Sequence, residues 1–337
     1  MKAIVLHETG DPGNLRLEEV AVPPPGPQEV VVRLRAAALN HRDVWIRRGL
    51  YAGIKLPAIL GSDGAGDVSE LGSGCDKTLL GKRVVIYPVL NWGSDSRIFG
   101  NEFRILGMPD RGTYAERIRI PADNVYPFPS EYSYEEAAAF PLAALTAYRA
   151  LVSRVRLQKN ETVLITGIGG GVSLFALQIS IALGATAYVT SGSDLKLEKA
   201  LQMGAAGGVN YRGPDWTAKI LEMTHGSGPD LVIDSIGGST FDQIIDVVKP
   251  GGRIVTYGST TGATPQLQIR RIFWKQLDIL GSTMGTAEEF RQVLRLFEDT
   301  RTHPVLDRIF PLEEASAAHQ RMERGEQFGK IVLRIDS

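Results

Sequence analysis

The feature that most constrains this chain is a glycine-rich turn set between an apolar strand and an apolar helix. Val163-Leu164-Ile165-Thr166 has the character of a buried strand and runs directly into Gly167-Ile168-Gly169-Gly170-Gly171-Val172-Ser173, after which Val172 to Leu183 reads as a helix. Glycines let a backbone approach a ligand closely. A helix start presents unpaired N–H groups and the positive end of its dipole, and Ser173 is small enough for tight helix–strand packing. The combination suits the pyrophosphate of a dinucleotide; a structural turn without a ligand is the plainer alternative. Strand-like and helix-like runs keep alternating afterwards: Thr186 to Thr190, Asp194 to Met203, Leu231 to Asp234, Thr240 to Val248 and Arg253 to Tyr257. That alternation predicts an α/β fold with a parallel, doubly wound sheet.

The tip of the second strand bears on which nucleotide binds. A carboxylate about 20 residues past the glycines would hold a ribose 2′-hydroxyl. Here the tip reads Val189-Thr190-Ser191-Gly192-Ser193, and Asp194 beyond it looks like a helix N-cap. A small polar tip leaves room for a 2′-phosphate, with Lys196 within one turn to neutralise it. The reading favours NADPH over NADH, with a solvated helix charge as the alternative for Lys196.

The rest of the chain differs in character. Residues 1–125 read as short strands and turns: Met1 to Leu6, the Val-rich Glu29 to Ala38, the glycine-punctuated Gly61 to Leu71, and Lys82 to Tyr87. No segment there shows long helical periodicity. Ser133 and Glu136 form a capping-box signature, and a helical stretch is expected from there to about Arg154. Glu288 to Glu298 reads as a helix, and Gly329 to Ile335 as a last strand returning to the β-rich part. A chain of 337 residues suits about two domains.

Composition narrows the partners. A net charge of −1 gives no overall positive field for nucleic acid or an anionic membrane. With a single cysteine, Cys75, no internal disulfide and no multi-thiolate zinc site can form. No apolar run approaches the roughly 18 residues of a membrane span, and Met1 to Leu6 lacks the apolar core of a signal peptide. A cytoplasmic protein with a small-molecule partner is expected.

Taken in order, a set of short motifs resembles the medium-chain dehydrogenase/reductase superfamily, in its quinone oxidoreductase-like branch. They are Asn40-His41-Arg42-Asp43, Arg48-Gly49-Leu50-Tyr51, Gly61-Ser62-Asp63-Gly64-Ala65-Gly66, Ala138-Ala139-Phe140-Pro141, Leu145-Thr146-Ala147-Tyr148 and the glycine turn. Val209-Asn210-Tyr211-Arg212, Asp230-Leu231-Val232-Ile233-Asp234, Gly251-Gly252-Arg253-Ile254-Val255, Gly281-Ser282-Thr283 and Gly329-Lys330-Ile331-Val332 follow. The resemblance spans essentially the whole chain. It implies a GroES-like β-barrel domain from residues 1–125 plus about 286–337, a Rossmann domain from 126–285, and a cleft between them where nicotinamide and substrate meet. Its nucleotide-contacting positions fall on Gly170, Gly171, Val172, Ser191, Lys196 and Tyr211. The nicotinamide half falls on Gly258, Ser259, Ser282, Thr283 and Lys330.

Zinc-dependent members of that superfamily place ligands where this chain has Asn40, Ser62-Asp63 and a position near Leu142. Their structural-zinc lobe corresponds to residues 91–107, which contain no cysteine. The expectation is therefore no metal. Without a Lewis acid, reduction of a quinone or an α,β-unsaturated carbonyl is the favoured chemistry. Asn40, Tyr51 and Thr146 are the candidates by position to touch the substrate oxygen. An enoyl-thioester reductase, a zinc-type alcohol dehydrogenase-like enzyme and a non-catalytic NADPH-binding protein are the alternatives. A homodimer is expected through the apolar stretch Leu267 to Ser282.

Overall fold

The computed structural model describes residues 1–262 and 267–336. The chain divides into two compact units, Met1–Ala143 with Gly285–Ser337, and Ala144–Met284.

In the second unit six strands lie in the order Gly207–Asn210, Thr186–Ser191, Thr162–Ile165, Leu231–Asp234, Arg253–Thr256 and Asp278–Gly281. Every neighbouring pair is parallel. The central strands are buried almost throughout because helices cover both faces of such a sheet. Strand order reverses between Thr162–Ile165 and Leu231–Asp234, and ligands of such sheets bind beyond the carboxyl ends at that reversal. The glycine turn leaves the first of these strands and opens the helix Gly171–Ala182. Two helices escaped the sequence reading. Trp216–Met223 is two turns long, and Ile269–Lys275 buries no residue, so neither shows a strong apolar stripe.

The first unit is built on the long strand Glu29–Ala38. It pairs antiparallel with Asp63–Leu71, Arg117–Pro121 and Lys330–Arg334. Register shifts at Val31/Val32 and Leu34/Ala36 bend it so that it can serve several partners. Gly66 is required where the partner strand crosses: a Cβ there would lie 2.1 Å from Arg33 O. The fold is α/β overall, a Rossmann sheet plus a GroES-like β domain closed by the C-terminal strand.

The expected helix after Ser133 is broken. Tyr134–Ala139 starts on the anticipated capping box, with Glu136 N donating to Ser133 Oγ (3.2 Å) and Ser133 N to Glu136 Oε2 (2.8 Å). It stops before Pro141, which has no N–H to continue the ladder, and Pro141–Tyr148 begins afresh. Residues 126–143 stay with the first unit, because Val125–Tyr126 pairs with Arg83–Ile86 and Tyr134–Ala139 packs on the Glu29–Ala38 sheet. The cysteine-free lobe is held by aromatic packing instead. Phe99 and Phe103 stack at 4.3 Å, and Trp92 meets both edge-on at 6.0 and 5.7 Å.

His319, in the helix Ala315–Glu323, is fully buried, and neither ring nitrogen has a partner among the described residues. Burial, and then the nearby Arg47 cation, push its pKa down to about 3 from 6.5. The folded state thus binds fewer protons than the unfolded state as pH falls from about 6.5 toward 3, and stability drops across that window. Replacing His319 by Leu should flatten the fall in urea midpoint between pH 6 and pH 4. An unchanged slope would show that other groups set it.

Candidate active site and nucleotide loop

The nucleotide end is assembled by backbone geometry. Gly170 caps the helix Gly171–Ala182 in an extended conformation and, lacking a side chain, makes no capping bond to the N–H groups of its first turn. Ser173 Oγ lies 3.1 Å from Gly167 O and 2.9 Å from Gly170 O, closing the turn on itself. Lys196 lies over the turn: a Cβ on Gly169 would be 2.8 Å from its Cδ and 3.3 Å from its Nζ. At the neighbouring tip a Cβ on Gly192 would be 2.9 Å from both Tyr211 Oη and Arg212 Nε. Tyr211 N donates to Ser191 O at 3.1 Å, and Ser191 Oγ accepts from Ser193 N at 3.2 Å.

Ser191, Tyr211 and Arg212 therefore gather around one tip, while Lys196 lies over the glycine turn. Arg212 belongs to a quoted motif but was not among the expected site residues; its adjacency to Tyr211 was the available signal. Asp194 is not the N-cap. Ser193 holds that position, and Asp194 opens the helix while accepting from Asn210 Nδ2 at 2.8 Å. That bond draws its carboxylate toward the next strand.

The carboxyl ends of the two central strands are clamped together. Buried Asp234 accepts from Thr166 Oγ1 (2.6 Å), Ile236 N (3.2 Å) and Gly237 N (3.1 Å). Burial raises its pKa while these bonds pull the other way. Further along the same edge, Gly258 lies over Ser235, and Ser259 Oγ donates to Gly262 O. Ser282 is buried with its Oγ lacking any partner among the described residues, and Thr283 is exposed. Thr146 is buried in the helix Pro141–Tyr148. The helix start capped by a glycine, the two close-packed glycines and the orphaned Ser282 hydroxyl fit a dinucleotide.

A second polar cluster lies within the first unit. Asn40 precedes the helix His41–Arg47, a two-turn element whose mixed polar pattern hid it from the sequence reading. Its backbone N–H donates to Asp43 Oδ2 at 2.9 Å. Its side-chain Nδ2 donates to Asp63 Oδ2 at 2.9 Å, and Asp63 Oδ1 accepts from Leu142 N at 2.9 Å. Lys330, expected beside the nicotinamide half, is buried here with its Nζ donating to Leu39 O, Asn40 Oδ1 and Asp63 Oδ2. Arg42, absent from the expected set, holds Ser62 Oγ (2.8 Å) and Leu106 O (2.6 Å) through one nitrogen and Met108 O (3.3 Å) through the other. Its guanidinium lies 5.3 Å from the ring centre of half-buried Tyr51. Asp43 is fully buried beneath. Burial pushes its carboxyl up, and the Arg42 charge draws it down.

Two family models match this chain: the alcohol dehydrogenase GroES-like domain over residues 26–130 and the zinc-binding dehydrogenase over residues 171–299. A zinc-type alcohol dehydrogenase-like protein, YogA, from Leptosphaeria maculans is 36% identical across 95% of this chain and 94% of its own length. A quinone oxidoreductase from Pseudomonas aeruginosa is 30% identical, covering 98% and 99% of the two chains. The chain belongs to the medium-chain dehydrogenase/reductase superfamily. It is an oxidoreductase of that family. A crystal structure of an NAD-dependent alcohol dehydrogenase superposes with a TM-score of 0.96 at 39% identity, over 100% of both chains. Among the described residues, no helix is long and apolar enough to cross a membrane.

The positions where zinc-dependent members hold the catalytic metal do not fit zinc in this chain. An amide, a hydroxyl and an aliphatic side chain stand there, and both oxygens of Asp63 already accept hydrogen bonds. Among the described residues, no three of His, Cys, Asp or Glu converge as a metal site. Protein dialysed against zinc and then against metal-free buffer should retain well under one zinc per chain. A stoichiometric, slowly exchanging zinc would overturn this reading of the donor set.

Proposed function

We propose that this chain is an NADPH-dependent, zinc-independent oxidoreductase that reduces quinones or α,β-unsaturated carbonyls by hydride transfer. The observation that carries the reading is the cluster around Asn40, where a carboxamide bonded to a buried ammonium and a buried carboxylate stands in place of metal ligands. Held along the glycine turn, a reduced nicotinamide would supply the hydride. Gly170, Gly171 and Val172 receive the pyrophosphate on backbone N–H groups. Ser191, Lys196, Tyr211 and Arg212 receive a 2′-phosphate, and Gly258, Ser259, Ser282 and Thr283 line the nicotinamide half.

The choice of NADPH rests on charge. One cation, Arg212, and the Tyr211 phenol meet at the Ser191–Gly192 tip, a second cation, Lys196, lies over the glycine turn, and the Asp194 carboxylate is bonded to Asn210. The similar structure named for NAD dependence is a reason to measure this preference directly. On the substrate side, hydride arriving at a quinone or enone carbon places negative charge on oxygen. Donors from Asn40 and Tyr51 hold that oxygen. Oxidation of a simple alcohol would need stronger stabilisation of an alkoxide than amide and hydroxyl donors give.

Purified protein should bind NADPH more tightly than NADH and oxidise NADPH when given 9,10-phenanthrenequinone. Arg212→Ala and Lys196→Ala should each weaken NADPH by about tenfold, the scale of a lost charge-assisted bond, and leave NADH nearly unchanged. A wild-type preference for NADH would overturn the role given to this tip. NADPH binding without turnover of any quinone or enone would overturn the reductase reading.

The homodimer expected from the sequence belongs to the same proposal. Asp278–Gly281 is an edge strand, and Phe273 and Trp274 on the preceding helix are 63% and 78% exposed. Light scattering should give twice the chain mass, and Trp274→Glu should shift it toward the monomer. A monomeric wild type would remove this part of the reading.

A further inference from the structure

Lys330 is a buried cation that the proposed chemistry has not yet used. It is 4% exposed, Asp63 0% and Asn40 7%. An ammonium can only donate, and a carboxylate can only accept. Asn40 lies between the two, with Oδ1 2.7 Å from Lys330 Nζ and Nδ2 2.9 Å from Asp63 Oδ2. Turning the carboxamide over would set N–H against N–H and oxygen against oxygen. Its orientation is therefore dictated by its neighbours.

The rest of the network is closed. Lys330 Nζ also donates to Leu39 O at 2.8 Å and Asp63 Oδ2 at 3.0 Å, and Asp63 Oδ1 accepts from Leu142 N. The Asn40 backbone N–H is held by Asp43. One polar hydrogen is left over: the second N–H of Asn40 Nδ2, which bonds to no described residue. The nearby ammonium draws electron density toward Oδ1 and so strengthens this remaining donor without placing a formal charge at the substrate.

We propose that Lys330 and Asp63 are positioning residues that lock the Asn40 carboxamide as a hydrogen-bond donor to the substrate oxygen. The proposal rests on the reductase reading above and names how that site holds its acceptor. Asn40 touches the substrate; Lys330 and Asp63 act through it.

Two measurements separate the lock from its use. The first is the side-chain amide signal of Asn40 in ¹⁵N-labelled protein, assigned by its loss in Asn40→Ser. Its two protons should be widely split, one bonded to Asp63 and one not. The split should narrow in the paired variant Lys330→Met/Asp63→Asn, which removes both charges together and leaves no lone buried ion. An unchanged split would overturn the lock.

The second is steady-state reduction of 9,10-phenanthrenequinone. Asn40→Ser should lower kcat by about a hundredfold, the scale of a lost oxyanion donor, with NADPH affinity held within about twofold. The paired variant should lower kcat to a similar extent, and combining it with Asn40→Ser should cost nothing further. Lys330→Arg retains a donor to Asn40 Oδ1, so it should keep more activity than the paired variant and serves as the control if the latter folds poorly. Losses that multiply, or a paired variant with wild-type kcat, would overturn the positioning role. A wild-type protein with the split amide and no turnover of any acceptor would overturn the reductase reading and the donor role, and leave the lock standing.

Discussion

A buried ammonium–carboxylate pair, Lys330 with Asp63, is the constraint around which the first unit is arranged. Removing two charges from water costs several kcal/mol apiece, and the arrangement holds only when every donor and acceptor is met. Meeting them draws in groups from three other places: Leu39 O just past the long strand, the Asn40 side chain at the helix start and Leu142 N in the helix Pro141–Tyr148. The C-terminal strand must therefore return to the N-terminal sheet, in the register that sets Val332 opposite Ala38. Gly329 makes that return possible. Its φ is +121°, and a Cβ there would lie 2.5 Å from Val305 O, so only glycine admits the neighbouring strand.

The second unit meets a different demand. Its sheet is parallel, so all six strands deliver their carboxyl ends to one edge. Chain turning back at that edge exposes N–H groups and loop side chains, and the fold must hold them in place without covering them. Asp234 serves this by tying Thr166 to the N–H groups of Ile236 and Gly237 across the reversal of strand order. Its carboxylate faces inward to the protein's own donors, whereas the cations Lys196 and Arg212 lie over the glycines of the turn and the tip. The same edge is thus rigid below and positive above, the arrangement a phosphate ligand needs.

How much of this was legible in the sequence depended on range. The glycine turn, the alternation behind it and the Ser133 capping box are local signals, and the structure keeps them within a residue or two. Asn40 was legible as a candidate through its motif, but its partners were not. Lys330 is 290 positions away, and its motif suggested the nicotinamide half. Arg42 carries no signal of its buried fork, because its acceptors are backbone carbonyls in a loop whose shape no periodicity encodes. Arg212 was signalled by its place beside Tyr211 in the sequence, but its approach to Gly192 depends on two adjacent strand tips facing each other. The short helices fell below the length at which a 3.6-residue stripe separates from noise.

The chemistry on the two sides of the Asn40 cluster follows from which groups are already bonded. Asp63 cannot serve as a base or a metal ligand while three donors occupy it, and Asp43 beneath is fully buried, its Oδ2 held by Asn40 N and Tyr114 Oη and its Oδ1 without a partner among the described residues. Lys330 Nζ and the two terminal nitrogens of Arg42 hold carbonyls and side chains of the fold, and Arg42 Nε is buried. The cluster thus concentrates four charges and presents none of them directly. What it can present is a neutral amide donor of fixed direction, with Tyr51 held over the Arg42 guanidinium beside it. Charge spread over a conjugated acceptor needs less stabilisation from outside than a localised alkoxide does, so a neutral donor suffices for the first and falls short for the second. The proposed preference for quinones and enones thus follows from how deeply these ions are buried within the fold.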